Sequence, residues 1–210
     1  MSGADDRKIT DHPESWAVED TVERFRSPKV AMRTDWVRMP GAGGRPEVVQ
    51  RDMFVHPGAV AVVALDEAGR VLLLRQYRHA VGHQLWELPA GMRDVDGEPP
   101  VRTAQRELLE EAGFRAATWH ELAEAFPSPG FSTERVIVYL ARNLTEVPAA
   151  EIDFERVHEE ADMPVEWVPL EEAVQAALNG RLHNASTLIG VLAAQAAVRD
   201  GLATLRPALG

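Results

Sequence analysis

The chain has 210 residues, 33 acidic side chains against 22 basic ones, a formal charge of −11 at neutral pH and no cysteine. That balance argues against a general nucleic-acid binder, which needs a surplus of Lys and Arg on one face. The missing cysteines exclude disulfides, thiolate metal sites and thiol nucleophiles. Only Lys8 and Lys29 are lysines, so arginine carries nearly all the positive charge, and arginine is the side chain suited to forked contacts with phosphate or carboxylate.

In chain order, Met1 to Trp16 reads as a polar tail without the apolar core of a signal peptide. Thr21–Phe25, Ala31–Val37 and Glu47–Phe54 are β-compatible segments separated by Ser27-Pro28 and the turn-rich stretch from Met39 to Gly44. They predict a small antiparallel module, and with the tail it forms a first unit over residues 1–56. His56-Pro57-Gly58 then punctuates the chain, and a second unit is expected over residues 57–205. It begins with longer apolar runs at Ala59–Leu65 and Val71–Leu74, joined by Asp66-Glu67-Ala68-Gly69 and read as a hairpin-like pair of buried strands.

Leu85–Leu88 is a further strand, leading through Pro89-Ala90 into a loop bracketed by Gly91 and Gly97. Pro99 and Pro100 suit the first turn of a helix and Gly113 suits its end, which predicts a helix over Pro99–Ala112. Strands follow near Ala117–Leu122, Val136–Ala141 and Val165–Val168. Helices at Leu170–Leu178 and Ser186–Arg199 close the chain. The longest apolar stretch, Leu188 to Val198, is too short to span a bilayer and contains Gln195. The strands do not alternate regularly with helices, so the fold class is α/β with a mixed sheet sandwiched by helices. The expected compartment is the cytoplasm, with neither membrane nor nucleic acid as a partner.

At roughly 100° per residue, Glu107, Glu110 and Glu111 share an arc of the Pro99–Ala112 helix, while Val101, Ala104, Leu108 and Ala112 form a separate apolar stripe. Like charges so spaced are weakly unfavourable unless a cation offsets them. Oxygen-only ligands select hard cations such as Mg²⁺ or Mn²⁺. The alternative is a solvated face neutralised by Arg102 and Arg106.

The segment from Gly91 through Glu98 and Arg106-Glu107-Leu108-Leu109-Glu110-Glu111-Ala112-Gly113-Phe114 closely resembles the signature of the Nudix hydrolases. It departs from that signature in having six residues rather than five between Gly91 and Glu98, and in Phe114. The resemblance implies a Nudix-type α/β/α sandwich that hydrolyses a nucleoside diphosphate linked to another moiety. It implies Glu107 and Glu111 as the principal ligands of Mg²⁺, with Mn²⁺ as the other candidate. Glu110 would be a ligand or a water-mediated contact, and the Ala90 carbonyl a further ligand. Glu98 and Arg106 would form an orienting ion pair.

Gln76-Tyr77-Arg78, Leu85 to Gly91 and Ser128 to Arg135 are similar to the ADP-ribose pyrophosphatase subfamily, with Pro129 lying 16 residues beyond Gly113. By that resemblance Arg78 would contact the pyrophosphate and Glu134 the sugar or base region. The general base would be Glu159 or Glu160, where Ala161 breaks the usual acidic pattern. The N-terminal module would form a homodimer and hold adenine, with Trp36 as the candidate there. The implied substrate is a small nucleoside diphosphate sugar, ADP-ribose first, cleaved to AMP and ribose 5-phosphate. The rivals are hydrolysis of another nucleoside diphosphate sugar and a sensor that binds ADP-ribose without cleaving it. His79 and His83 read as exposed or satisfied histidines, and Gly41 to Gly44 as a hairpin loop.

Overall fold

A computed structural model describes residues 9–154 and 163–208. Its first sheet is antiparallel and contains β1 (Val18–Arg26), β2 (Ala31–Pro40) and β3 (Pro46–Val55) in that order. The expected module is present, and Gly41 to Gly44 close the β2–β3 connection between the paired Pro40 and Pro46. Its outer strands β1 and β3 are largely exposed, while the central β2 buries Ala31, Thr34 and Asp35.

The main body follows with β4 (Ala59–Ala64), β5 (Arg70–Arg78), β6 (His83–Glu87), β7 (Ala90–Met92), α1 (Pro100–Ala112), β8 (Phe114–Ala125), β9 (Val136–Glu146), β10 (Val165–Pro169), α2 (Leu170–Leu178), α3 (Ala185–Arg199) and β11 (Arg206–Pro207). A five-stranded sheet runs β11-β8-β9-β4-β7 and a three-stranded sheet runs β10-β5-β6. The larger sheet is mixed, because β4 pairs parallel to β9 and antiparallel to β7.

β4 is apolar throughout because both of its faces are covered. Val60, Val62 and Ala64 face Val101, Ala104 and Leu108 of α1. Ala61 and Val63 face Ala173 and Val174 of α2 and Val191 and Ala194 of α3. One alternating strand thus serves two cores, and the layers are α1, sheet, then α2 with α3. The predicted α/β/α sandwich is the observed architecture. Among the described residues no helix is long and apolar enough to cross a membrane.

The hairpin reading of Ala59–Leu65 with Val71–Leu74 needs correction. The Asp66–Gly69 turn does reverse the chain, with one bridge between Leu65 and Val71, but β4 and β5 then part into different sheets. Each strand is apolar on both faces, so each demands its own covering, which a shared two-stranded ribbon does not provide. A second difference is β7, expected as loop, which pairs with β4 from Ala59 to Ala61. Helix α1 matches its signals closely. Pro99 caps it in extended geometry, and Gly113 ends it at φ 76°, its N–H reaching the carbonyls of Leu108 and Leu109.

Candidate active site

A cleft of about 740 Å³ opens where α1, β7, the β5–β6 hairpin and the N-terminal end of α3 meet. Among the described residues its lining carries six carboxylates against the three permanent cations Lys29, Arg78 and Arg106. Arg78, Ala90, Glu107, Glu110, Glu111 and Glu134 all contribute to this lining, although they are scattered over nearly sixty positions of sequence.

The acidic face of α1 is held against β7. Glu111 is buried, and its Oε2 accepts the Ala90 N–H at 2.8 Å. A Cβ at Gly91 would collide with the Glu107 carboxyl, so glycine here lets that carboxyl lie directly against the strand backbone. Arg106 Nη1 donates to Glu107 Oε1 at 2.7 Å and to Glu110 Oε2 at 3.1 Å, and its Nη2 lies 3.7 Å from Glu98 Oε2. Thr103 Oγ1 donates to the same Glu98 oxygen at 2.8 Å. The loop with its extra residue therefore still brings Glu98 to Arg106. Burial opposes the charge on Arg106, but Glu107, Glu110 and Glu98 outweigh it and hold the guanidinium above its ordinary value.

On the opposite wall Arg78 makes a forked contact with Glu87, Nε to Oε1 at 2.9 Å and Nη2 to Oε2 at 2.6 Å. Glu87 is a residue that sequence reasoning missed. The available signal was a lone carboxylate inside Leu85-Trp86-Glu87-Leu88, where a buried strand should be apolar. Glu134 lines the cleft, and its backbone N–H donates to Ser132 Oγ at 3.1 Å. Its neighbour Arg135 pairs instead with Glu124, at 2.5 and 2.7 Å. His183 and Asn184, also unforeseen, reach the cleft because α3 starts at its edge. Asn184 Oδ1 caps α3 by accepting the Thr187 N–H at 3.0 Å, and the buried Thr187 Oγ1 accepts the Leu88 N–H at 3.1 Å.

Trp36 lies away from this cleft, on β2, with the Arg24 guanidinium 5.7 Å from its ring centre. Glu159 and Glu160 lie outside the described residues. His79 and His83 are exposed; the first contacts the Tyr77 hydroxyl and the second the Val81 carbonyl.

The donor chemistry of Glu107, Glu110, Glu111 and the β7 backbone is all oxygen, and all of these groups line the same cleft, so these residues fit a hard divalent cation. Among the described residues no three acidic or imidazole side chains already converge as a ligand set; Arg106 supplies the counter-charge to Glu107 and Glu110.

Comparison with known proteins places this geometry. The NUDIX domain family matches residues 55–188. An ADP-ribose pyrophosphatase of Mycobacterium tuberculosis is 49% identical over 177 residues, covering 84% of this chain and 81% of the relative. A methanol dehydrogenase activator of Bacillus methanolicus is 31% identical over 172 residues, covering 81% and 88%. Among solved structures, one described as an ADP compounds hydrolase superposes with a TM-score of 0.71 at 18% identity over 91% of this chain and 98% of that one, a likeness of fold.

Proposed function

The chain belongs to the NUDIX domain family, and from that premise we propose that it hydrolyses the pyrophosphate bond of ADP-ribose, giving AMP and ribose 5-phosphate, with Mg²⁺ as its metal. The observation that carries the reading is the row of α1 carboxylates pressed against β7 in a cleft that also presents Arg78. The choice of ADP-ribose rests on the 49% identical pyrophosphatase, against 31% for the activator.

In this reading Glu107, Glu110, Glu111 and the Ala90 carbonyl hold the divalent cation, whose charge would offset the pyrophosphate oxygens and favour attack at phosphorus. Arg78 binds a phosphate oxygen, and Glu134 the sugar or base end. Water adds to one phosphorus as the bond from that phosphorus to the bridging oxygen breaks. Glu159, or Glu160 in its place, takes the proton of that water. Arg106 with Glu98 holds the α1 carboxylates in place.

The N-terminal module, residues 1–56, serves as the dimerisation unit, and residues 57–205 as the catalytic unit. In support, the first sheet exposes large apolar side chains, among them Phe25 and Met32, which face each other across β1 and β2. Trp36 belongs to this sheet and would meet the adenine of a substrate bound by the second copy. The acidic, cysteine-free composition suits small-molecule chemistry in the cytoplasm, without nucleic acid or membrane as a partner.

The test is incubation of the purified protein with Mg²⁺ and a panel including ADP-ribose and GDP-mannose, with products separated by nucleotide chromatography. AMP released from ADP-ribose at the highest kcat/KM of the panel is expected. Preferred cleavage of another nucleotide sugar, or binding without product, would overturn the reading.

A further inference from the structure

Glu87 takes no part in the chemistry outlined above, yet it is 2% exposed and lies in the wall of the cleft. Its origin is the register of the β5–β6 hairpin. Leu74 pairs with Glu87, Gln76 with Leu85 and Arg78 with His83, so Leu74, Gln76 and Arg78 share one face with Glu87. Arg78 stands four register pairs from Glu87, two of them on this face, and reaches it by lying along that face, past Gln76, itself buried and lining the cleft.

Removing a carboxylate from water is costly, and an ion pair seldom repays that cost better than packed apolar groups of the same size. Stability therefore gives a poor account of a carboxylate at this position. Direction gives a better one. The two parallel bonds engage the Nε–Nη2 edge of the guanidinium and set both its plane and its angle. The side chain of Arg78 nevertheless stays 44% exposed, so it is held rather than hidden. A long arginine held in one orientation loses less conformational freedom when an anion arrives.

We propose that Glu87 is a positioning residue for substrate binding: it aims the Arg78 guanidinium at the pyrophosphate of a nucleoside diphosphate sugar. This rests on the reading of the cleft given above. Glu87 touches no substrate atom and acts wholly through Arg78, so its contribution vanishes when Arg78 is removed.

The experiment is a double-mutant cycle on the full chain. Glu87→Gln keeps the shape and loses the charge that fixes the fork; KM for ADP-ribose should rise about tenfold with kcat within about twofold. Arg78→Lys keeps the charge and cannot make the fork, and should raise KM to a similar degree, which covers the case of a Glu87→Gln chain that fails to fold. In an Arg78→Ala background, Glu87→Gln should add no further rise. An unchanged KM in a folded Glu87→Gln variant overturns the proposal, and so does an equal rise on adding Glu87→Gln to Arg78→Ala, which would mark Glu87 as merely structural. Absence of ADP-ribose hydrolysis by the unaltered protein is a different result, and it overturns the underlying reading instead.

Discussion

Gly91 of β7 and Glu107 of α1 lie so close that a single added methyl at Gly91 would occupy the space of the Glu107 carboxyl. The two residues are sixteen positions apart and belong to different elements, and their contact places the Glu107 carboxyl directly against the β7 backbone. Gly91→Ala must therefore displace the Glu107 carboxyl from its place against β7. A displacement of about 1 Å in such a site commonly costs on the order of 100-fold in rate, so a kcat/KM about 100-fold lower is expected. Circular dichroism should show the helical content retained. Full activity in the alanine variant would show that the contact is dispensable.

Glu111 is buried and accepts the Ala90 N–H. Glu111→Gln keeps an oxygen that can accept this bond and removes the negative charge that would hold a cation. Metal-supported turnover should fall by about 1,000-fold or more, with the melting temperature within a few degrees of the parent. A titration of Mg²⁺ against rate in both proteins distinguishes a weakened metal site from a lost one. Unchanged turnover would remove Glu111 from the site.

Arg106 neutralises Glu107 and Glu110 and approaches Glu98. Arg106→Ala leaves three partly buried carboxylates without that cation. The expected loss is about 1–3 kcal/mol of stability, read from the urea midpoint at constant slope. Added Mg²⁺ should restore part of it in the variant, because a divalent cation can take over the neutralising role. Stability equal to the parent would mean that the network contributes nothing to the fold.

The Glu124–Arg135 pair gives a pH signature away from the cleft. The hydrogen bond from Arg135 is the main cause that holds the Glu124 carboxyl below its usual 4.5, against a smaller opposing effect of burial. A depressed carboxyl stabilises the fold at pH above its unfolded value, and the benefit disappears as pH falls through the folded value. Both side chains are partly exposed, so the benefit is under about 1 kcal/mol. Arg135→Ala should thus lie slightly below the parent in unfolding free energy at pH 7. The gap should close as the pH drops below 4.5, and a gap independent of pH would contradict the assignment.

Phe25 and Met32 expose 56% and 46% of their surface at facing positions of the first sheet. If this sheet joins two copies, light scattering should give twice the 23.2 kDa chain mass for the parent, and Phe25→Glu with Met32→Glu should give the monomer. A parent that already runs as a monomer ends the dimer proposal.

Much of the fold could be read locally. Helix α1 was bounded by Pro99, Pro100 and Gly113, and the apolar stripe through Val101, Ala104 and Leu108 chose its buried face. The acidic face followed from the same periodicity. The wall opposite was not readable in this way. Arg78 and Glu87 meet through hairpin register and the reach of an arginine along a strand face, and neither leaves a periodic trace. The Ala59–Leu65 and Val71–Leu74 runs show the same limit, since a turn can be recognised from Asp66 to Gly69 while the sheets that claim the two strands cannot.

The sequence by itself determined the layered α/β class, the helix that carries Glu107, Glu110 and Glu111, and the presence of antiparallel strands at the N-terminal end. These follow from turn residues and side-chain periods, which act over a few residues. Tertiary structure alone decided that Gly91 cradles Glu107, that Glu87 directs Arg78, that α3 begins at the cleft and that Trp36 lies away from it within one chain. Those relations depend on which strands share a sheet and how closely the layers pack. Contacts across the whole core settle both, and no short stretch of chain contains them.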